Sequence, residues 1–264
     1  MGGFIDVHCH LTGDDYQTIG GVEETVKRAI DEGVTTLICS GFDIPSSEGA
    51  ARLAERFDEV YFCAGYHPSE LKKYAEDDLE RLKELCSLKK CVAVGEVGLD
   101  YHFDDNPPRD TQKEFFIRQL ALADELELPV VVHSRDAAQD TLQLLTDNQT
   151  LLKKGGLMHC YSYSAEMVAL FERLGFYFSF GGPCTFKNAK KTVDSVLAVP
   201  LEKLLTETDC PYLTPVPYRG TFPNQPKNVT YVAARLAELR GDEPQRLKER
   251  VYENAKNLFF KLKR

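Results

Sequence analysis

Five of the six histidines in this chain end short apolar, β-branched runs. His8 and His10 form an HxH pair in Phe4-Ile5-Asp6-Val7-His8-Cys9-His10. His67 follows Tyr61-Phe62-Cys63-Ala64-Gly65-Tyr66, His133 follows Pro129-Val130-Val131-Val132, and His159 follows Gly155-Gly156-Leu157-Met158. Only His102 falls outside the pattern. Glu96, after Cys91-Val92-Ala93-Val94-Gly95, and Asp209, after Leu204-Leu205-Thr206-Glu207-Thr208, repeat the placement with carboxylates. Neutral imidazoles and carboxylates are ligands for divalent metals. Carried on the ends of parallel strands, groups this far apart in sequence converge, which is how a polynuclear metal centre is built.

The elements that must position them alternate along the chain. Val22 to Ile30 has helical apolar spacing, with Gly33 suited to the C-terminal cap. Strand two is expected over Val34 to Cys39 and a helix around Ala50 to Phe57. Strand three ends at His67, and Asp77 to Ser87 is helical, with leucines at 79, 82 and 85. Strand four ends at Glu96, and a long amphipathic run covers Arg109 to Leu126. Strand five ends at His133, strand six at His159, strand seven covers Gly175 to Phe180, and strand eight ends near Asp209. Helices follow, the last over Val229 to Leu239 and Pro244 to Phe260. Eight βα units in order predict an α/β fold, a TIM-like (β/α)8 barrel, with residues 1–264 as a single domain. A doubly wound open sheet is the alternative. Gly98 to Pro108 and Pro211 to Pro226 read as long loops, where barrel enzymes keep substrate contacts.

Composition narrows the setting. At 264 residues and 43% hydrophobic, the chain can bury a full barrel core. No basic leader precedes the first strand and no apolar run reaches membrane-spanning length, so a cytoplasmic or nuclear protein is expected. Of the eight cysteines, Cys39, Cys63, Cys91 and Cys160 fall in expected strands, and no CxxC pair occurs, so buried reduced thiols are the reading. A net charge of −9 argues against charge-driven binding of long duplexes, though not against gripping a few phosphates.

Strand alternation puts Asp6, His8 and His10 on one face and Val7 and Cys9 on the other. At the C-terminal mouth of a barrel, strands one, four, five, six and eight would deliver His8, His10, Glu96, His133, His159 and Asp209. Six N/O ligands exceed one tetrahedral ion but suit two divalent ions, magnesium, manganese or zinc, sharing a carboxylate. Such a pair lowers the pKa of water, and Asp209 can both ligate and accept the proton as general base. Asp6 is expected behind a ligand imidazole or in a local backbone contact. Glu207, two residues before Asp209, faces the same interior and either orients a water or leaving oxygen or accepts a buried hydrogen bond.

Six segments together resemble the TatD-related deoxyribonucleases, within the amidohydrolase-like metal-dependent hydrolases. They are Ile5-Asp6-Val7-His8-Cys9-His10-Leu11, Gly65-Tyr66-His67-Pro68, Gly95-Glu96-Val97-Gly98-Leu99-Asp100-Tyr101, His133-Ser134-Arg135, His159-Cys160-Tyr161-Ser162 and Glu207-Thr208-Asp209-Cys210-Pro211-Tyr212-Leu213. They span nearly the whole chain in the family's order. The resemblance implies a (β/α)8-like barrel, a divalent-metal centre and hydrolysis of DNA phosphodiesters. It also implies that His8 and His10 hold one ion with Glu96 and Asp209, and that His133 and His159 hold the second, bridged by Glu96.

On the phosphate side, His67 could donate to a phosphoryl oxygen, and Arg135 could clamp a phosphate or pair with an acid such as Asp136. Arg219 resembles part of the family's substrate loop. Lys187, Lys190 and Lys191 read as a solvated helix face. Tyr66, Tyr101, Phe103, Tyr161 and Tyr163 either stack bases or pack in the core. The expected activity is removal of nucleotides from free DNA ends, single-stranded or frayed, with the resemblance favouring the 3' end. The rivals are a metal-dependent amidohydrolase or esterase acting on a small molecule or aminoacyl ester, and a silent binding protein on a hydrolase fold. The complete ligand set argues against the last.

Overall fold

In the computed structural model, which describes residues 2–262, eight strands alternate with helices. The strands are β1 (Phe4–Cys9), β2 (Val34–Ser40), β3 (Val60–Ala64), β4 (Cys91–Asp100), β5 (Val130–Arg135), β6 (Gly156–Met158), β7 (Phe176–Phe180) and β8 (Leu204–Thr206). They pair in sequence order, each neighbour parallel. Seven helices fill the crossovers: α1 (Gly21–Asp31), α2 (Ile44–Arg56), α3 (Asp78–Ser87), α4 (Arg109–Glu125), α5 (Ala138–Asp147), α6 (Ala165–Arg173) and α7 (Lys190–Ala198). Two more, α8 (Val229–Arg240) and α9 (Pro244–Leu258), follow β8. Beside β1, the ring is drawn together by three hydrogen bonds. Thr206 Oγ1 donates to the Ile5 carbonyl (2.7 Å), Asp209 N–H to the His8 carbonyl (3.0 Å) and His10 N–H to the Cys210 carbonyl (2.7 Å). This is the TIM-type (β/α)8 barrel that the alternation predicts.

The strands are buried on both faces, so they read as continuous apolar runs and not as alternating ones. Val130, Val131 and Val132 are all buried, as are Phe176, Phe178 and Phe180 in β7. Each such phenylalanine contributes roughly 1.5–3 kcal/mol. All eight cysteines are free, and all but the half-buried Cys160 are buried.

Several boundaries differ from expectation, and the differences shape the site. β3 stops at Ala64, and His67 instead caps a short 3-10 turn, Pro68–Lys73. β4 does not end at Glu96 but continues to Asp100, pairing with β5 as far as Arg135. Gly98 permits this: it takes φ +144, and a Cβ there would run into the His133 carbonyl. β6 and β8 are only three residues long, so His159, Cys160 and Asp209 lie just past their strands. α2 begins six residues earlier than the expected Ala50. Asp43 and Ser46 form a reciprocal capping box with both bonds at 2.9 Å, worth about 1 kcal/mol, and Pro45 occupies the first turn.

Candidate metal centre

At the mouth of the strands, Glu96 stands between two groups of imidazoles. Its Oε2 lies 3.3 Å from His8 Nε2 and 3.5 Å from His10 Nε2, both carried on or just past β1. Its Oε1 lies 2.8 Å from His133 Nδ1 and 2.8 Å from His159 Nε2. Asp209 Oδ1 completes the first group, 3.6 Å from His8 Nε2 and 3.5 Å from His10 Nε2. It is held there by its backbone bond to His8 and by a left-handed φ of 52. All six residues expected as ligands therefore converge. Glu96 offers one oxygen to each group.

The partners on the far side of each ring decide which nitrogen carries hydrogen. His10 Nδ1 faces the Ser40 carbonyl at 2.9 Å, so it must be an N–H, and Nε2 is the nitrogen that meets a proton or a metal. His133 Nε2 faces the Asp100 carboxylate at 3.1 Å, which leaves Nδ1 bare toward Glu96. His159 Nδ1 points at Glu207 Oε1, 3.8 Å away and beyond hydrogen-bond reach, and turns Nε2 toward Glu96. His8 Nδ1 meets the Ser40 hydroxyl at 3.1 Å. The ring nitrogens also face one another: His8 and His10 Nε2 are 3.2 Å apart, as are His133 Nδ1 and His159 Nε2. Nitrogens and carboxylate oxygens aimed at common points repel one another unless protons or metal cations lie between them, so the donor set fits metal binding. Ligand atoms lie within 4.8 Å of one another in His8, His10 and Asp209, in His8, Glu96 and His159, in His67, Asp100 and His133, and, deeper, in Asp6, Cys9 and Cys210.

The electrostatics follow from this crowding. Burial would raise the Glu96 carboxyl, but the imidazoles of His159, His8 and His67 hold it well below the usual carboxylate range. Burial likewise opposes charge on His10, yet its contact with Asp209 and the Glu96 charge prevail and push it up to about 9. His67 goes the other way, driven to about 3 by burial and by the neighbouring His133. Its Nδ1 accepts the Ser69 N–H at 3.2 Å, so the neutral ring presents Nε2–H inward, 3.6 Å from Glu96 Oε1.

The remaining expected residues divide. Asp6 does not back an imidazole. Its carboxylate accepts from Thr208 N–H (2.9 Å), Thr208 Oγ1 (2.5 Å) and the His8 backbone N–H (3.3 Å), the backbone contact among the two expected readings. It sits one residue pair deeper than His8 and meets β8 before it can reach a ring. Glu207 is fully buried, accepts the Ser179 hydroxyl and lies behind His159. Arg135 lines the metal-side cavity of about 640 Å³ and stacks over the exposed Phe103 at 5.1 Å, away from Asp136. Arg219 does not line that cavity; its guanidinium lies 4.0 Å over Phe186. Tyr66, Tyr161 and Tyr163 are core residues. Sequence reasoning missed Ser40, which serves two rings at once, and Asp100. A strand drawn four residues longer would have put Asp100 on the Glu96 face, by parity alone.

The comparisons agree with this geometry. A family model described as TatD related DNase matches residues 5–260. The chain is 44% identical over 254 residues to the uncharacterized metal-dependent hydrolase YabD of Bacillus subtilis, covering 96% of this chain and 98% of that one. It is 33% identical over 259 residues to a Citrobacter rodentium protein named 3'-5' ssDNA/RNA exonuclease TatD, covering 96% and 97%. The crystal structure of YjjV, a TatD homolog from Escherichia coli K12, matches with a TM-score of 0.90 at 32% identity, covering 97% of this chain and 98% of that one.

Proposed function

This chain belongs to the TatD-related DNase family of metal-dependent hydrolases, and from that premise we propose that it is a 3'-5' exonuclease removing nucleotides from single-stranded or frayed DNA ends. The observation that carries the reading is Glu96, one oxygen toward each pair of imidazole nitrogens at the floor of a deep mouth. In it, residues 1–264 act as one hydrolase domain in the cytoplasm, a setting that suits eight free thiols. No helix among the described residues is long and apolar enough to cross a membrane.

His8, His10, Glu96 and Asp209 would hold one divalent ion, and Glu96, His133 and His159 the other, with magnesium, manganese and zinc the candidates. When bound, the ions supply Lewis acidity toward water and toward a phosphoryl oxygen. Asp209 stands at the open edge of its group and takes the proton of the attacking water. His67, kept neutral, donates Nε2–H to a phosphoryl oxygen. Asp100, Glu207 and Ser40 hold the ring nitrogens in register. Arg135 pairs with the next phosphate, and Phe103 beside it offers a face to a base.

The recess explains the preference for ends. His8 is fully buried and Glu96 nearly so, and Phe103, Tyr212 and Leu213 stand around the mouth above them. A flexible single strand can reach such a floor, whereas the width of a duplex keeps its internal phosphates outside. Linear strands should therefore shorten stepwise from the 3' end while covalently closed single-stranded circles survive, and chelation should stop the reaction. Equal degradation of circles and linear strands would overturn the end-directed reading. Hydrolysis of amides or esters with none of oligonucleotides would overturn the nuclease reading.

A further inference from the structure

Across the loop after β8 lies a second cavity, of about 610 Å³, between the segment that follows β7 and the outer face of α8. Phe186, Lys187, Lys190, Val216, Tyr231 and Arg235 line it. It gathers cations on a chain whose net charge is −9. Lys187 and Lys190 are exposed and enter no ion pair among the described residues, and Arg219, stacked on Phe186, enters none either. The acid on the wall, Glu238, is already engaged by Arg235 at 2.7 Å. Arg235 Nε is buried without an acceptor. Aromatic faces are interleaved with these charges. Tyr218 and Tyr231 are both exposed, in edge contact at 5.4 Å, next to Phe186.

Only one short stretch of backbone separates the cavity from the metal mouth. Leu213 lines the metal-side cavity and Val216 the second, and the Val216 N–H donates to Thr185 Oγ1 at 2.9 Å, fastening the partition. Unpaired cations alternating with aromatic faces are what a single-stranded polynucleotide needs, phosphates meeting charge and bases stacking on rings. We propose that this groove holds the single-stranded stretch of a polynucleotide that leads away from the reacting end. The inference rests on the nuclease reading, and it assigns a use to lysines that otherwise form a solvated face.

The test uses the full-length, metal-loaded protein. A fluorescein-labelled oligothymidylate long enough to span both cavities, with phosphorothioate links to slow cleavage, is titrated by anisotropy over a range of salt. Turnover of a thymidine dinucleotide, too short to reach the groove, is followed in parallel. K187A/K190A should bind the long strand about tenfold or more weakly and lower the log–log salt slope by about 1.4, roughly 0.7 for each single-strand phosphate that no longer meets a lysine. Its turnover of the dinucleotide should match wild type. A wild type that cleaves the long strand, with K187A/K190A unchanged in affinity and slope, overturns the groove and leaves the nuclease reading standing. Wild-type binding that depends on these lysines without any cleavage keeps the groove and removes the nuclease reading. Absence of strand binding overturns both.

Discussion

The two halves of the candidate centre use the same ligand types but support them differently. His8 and His10 lean on neutral groups, the hydroxyl and carbonyl of Ser40. Carboxylates stand behind His133 and His159, Asp100 within hydrogen-bond reach and Glu207 3.8 Å away. A carboxylate behind an imidazole makes it a more basic and better oriented ligand, which a neutral oxygen does less well. The first half compensates in front of its rings, where Asp209 joins Glu96. Charge held behind the rings anchors an ion; charge held beside it, at the open edge, remains available to take a proton. In the proposed reaction, one half holds and the other does the chemistry.

Glu96→Gln should do the most damage, because it alone faces both halves. Hydrolysis should fall to background at saturating metal and the bound-metal stoichiometry should drop. Near-normal turnover would mean that the halves are not joined through this carboxylate. Asp209→Asn should come next, costing on the order of 10²-fold or more in kcat from loss of the base. The barrel should stay folded, because asparagine tolerates the left-handed φ of 52 at this position and the backbone bond to His8 is kept. A collapsed melting transition in this variant would make Asp209 structural and erase its half's claim to the chemistry.

The backing groups sharpen the contrast itself. Asp100→Asn should weaken one of two metal-binding events by about 10- to 100-fold, with the other spared. Ser40→Ala should weaken the other event by less. Calorimetric titration of the stripped protein reads both, and equal weakening by the two variants would abolish the distinction between charged and neutral support.

The smallest effect concerns pH. In the stripped protein, His10 is raised to about 9 by Asp209 and Glu96 against the burial that would lower it. A histidine raised on folding contributes stability that is complete below its unfolded value of about 6.5 and is lost as pH climbs through the folded value. His133 and His159 are raised as well and add to the loss, while His8 and His67, which are lowered, act mainly below that window. Chelated protein should therefore lose Tm from pH 6.5 to 8, before ordinary thiols titrate near 8.5. With saturating manganese or zinc the trend should weaken or reverse, because deprotonated ligands bind metal better. A chelated Tm that rises over this range would contradict the charge placement in the first half.

Much of this was readable in the residues, and the gaps have physical causes. The order of eight βα units follows from buried strands that are apolar throughout, and all six expected ligands lie where those strands open. What escaped lay at element ends. Gly98 reads as a loop signal, yet it lets β4 run on against His133 and carry Asp100 into place. Ser46 and Ser47 concealed the first turn of α2, because polar caps look like loop until their partner is known. Asp6 had two open readings, and only the position of Thr208, 202 residues away, decided between them. Arg219 lies on a loop whose course depends on tertiary packing, and it stands beyond the partition from the metals.

The hydrogen bonds that bring β8 to β1 have a consequence for the life of the chain before it is folded. Thr206 and Ile5 are 201 positions apart, and the bonds of Asp209 and Cys210 to the HxH segment span about as far. Contacts of that separation carry a large loop-closure cost and form late. Asp209 follows the last of the eight strands, so His8 and His10 meet the carboxylate that completes their group only once the chain has been made past all of them. No shorter stretch of chain assembles the first half of the centre.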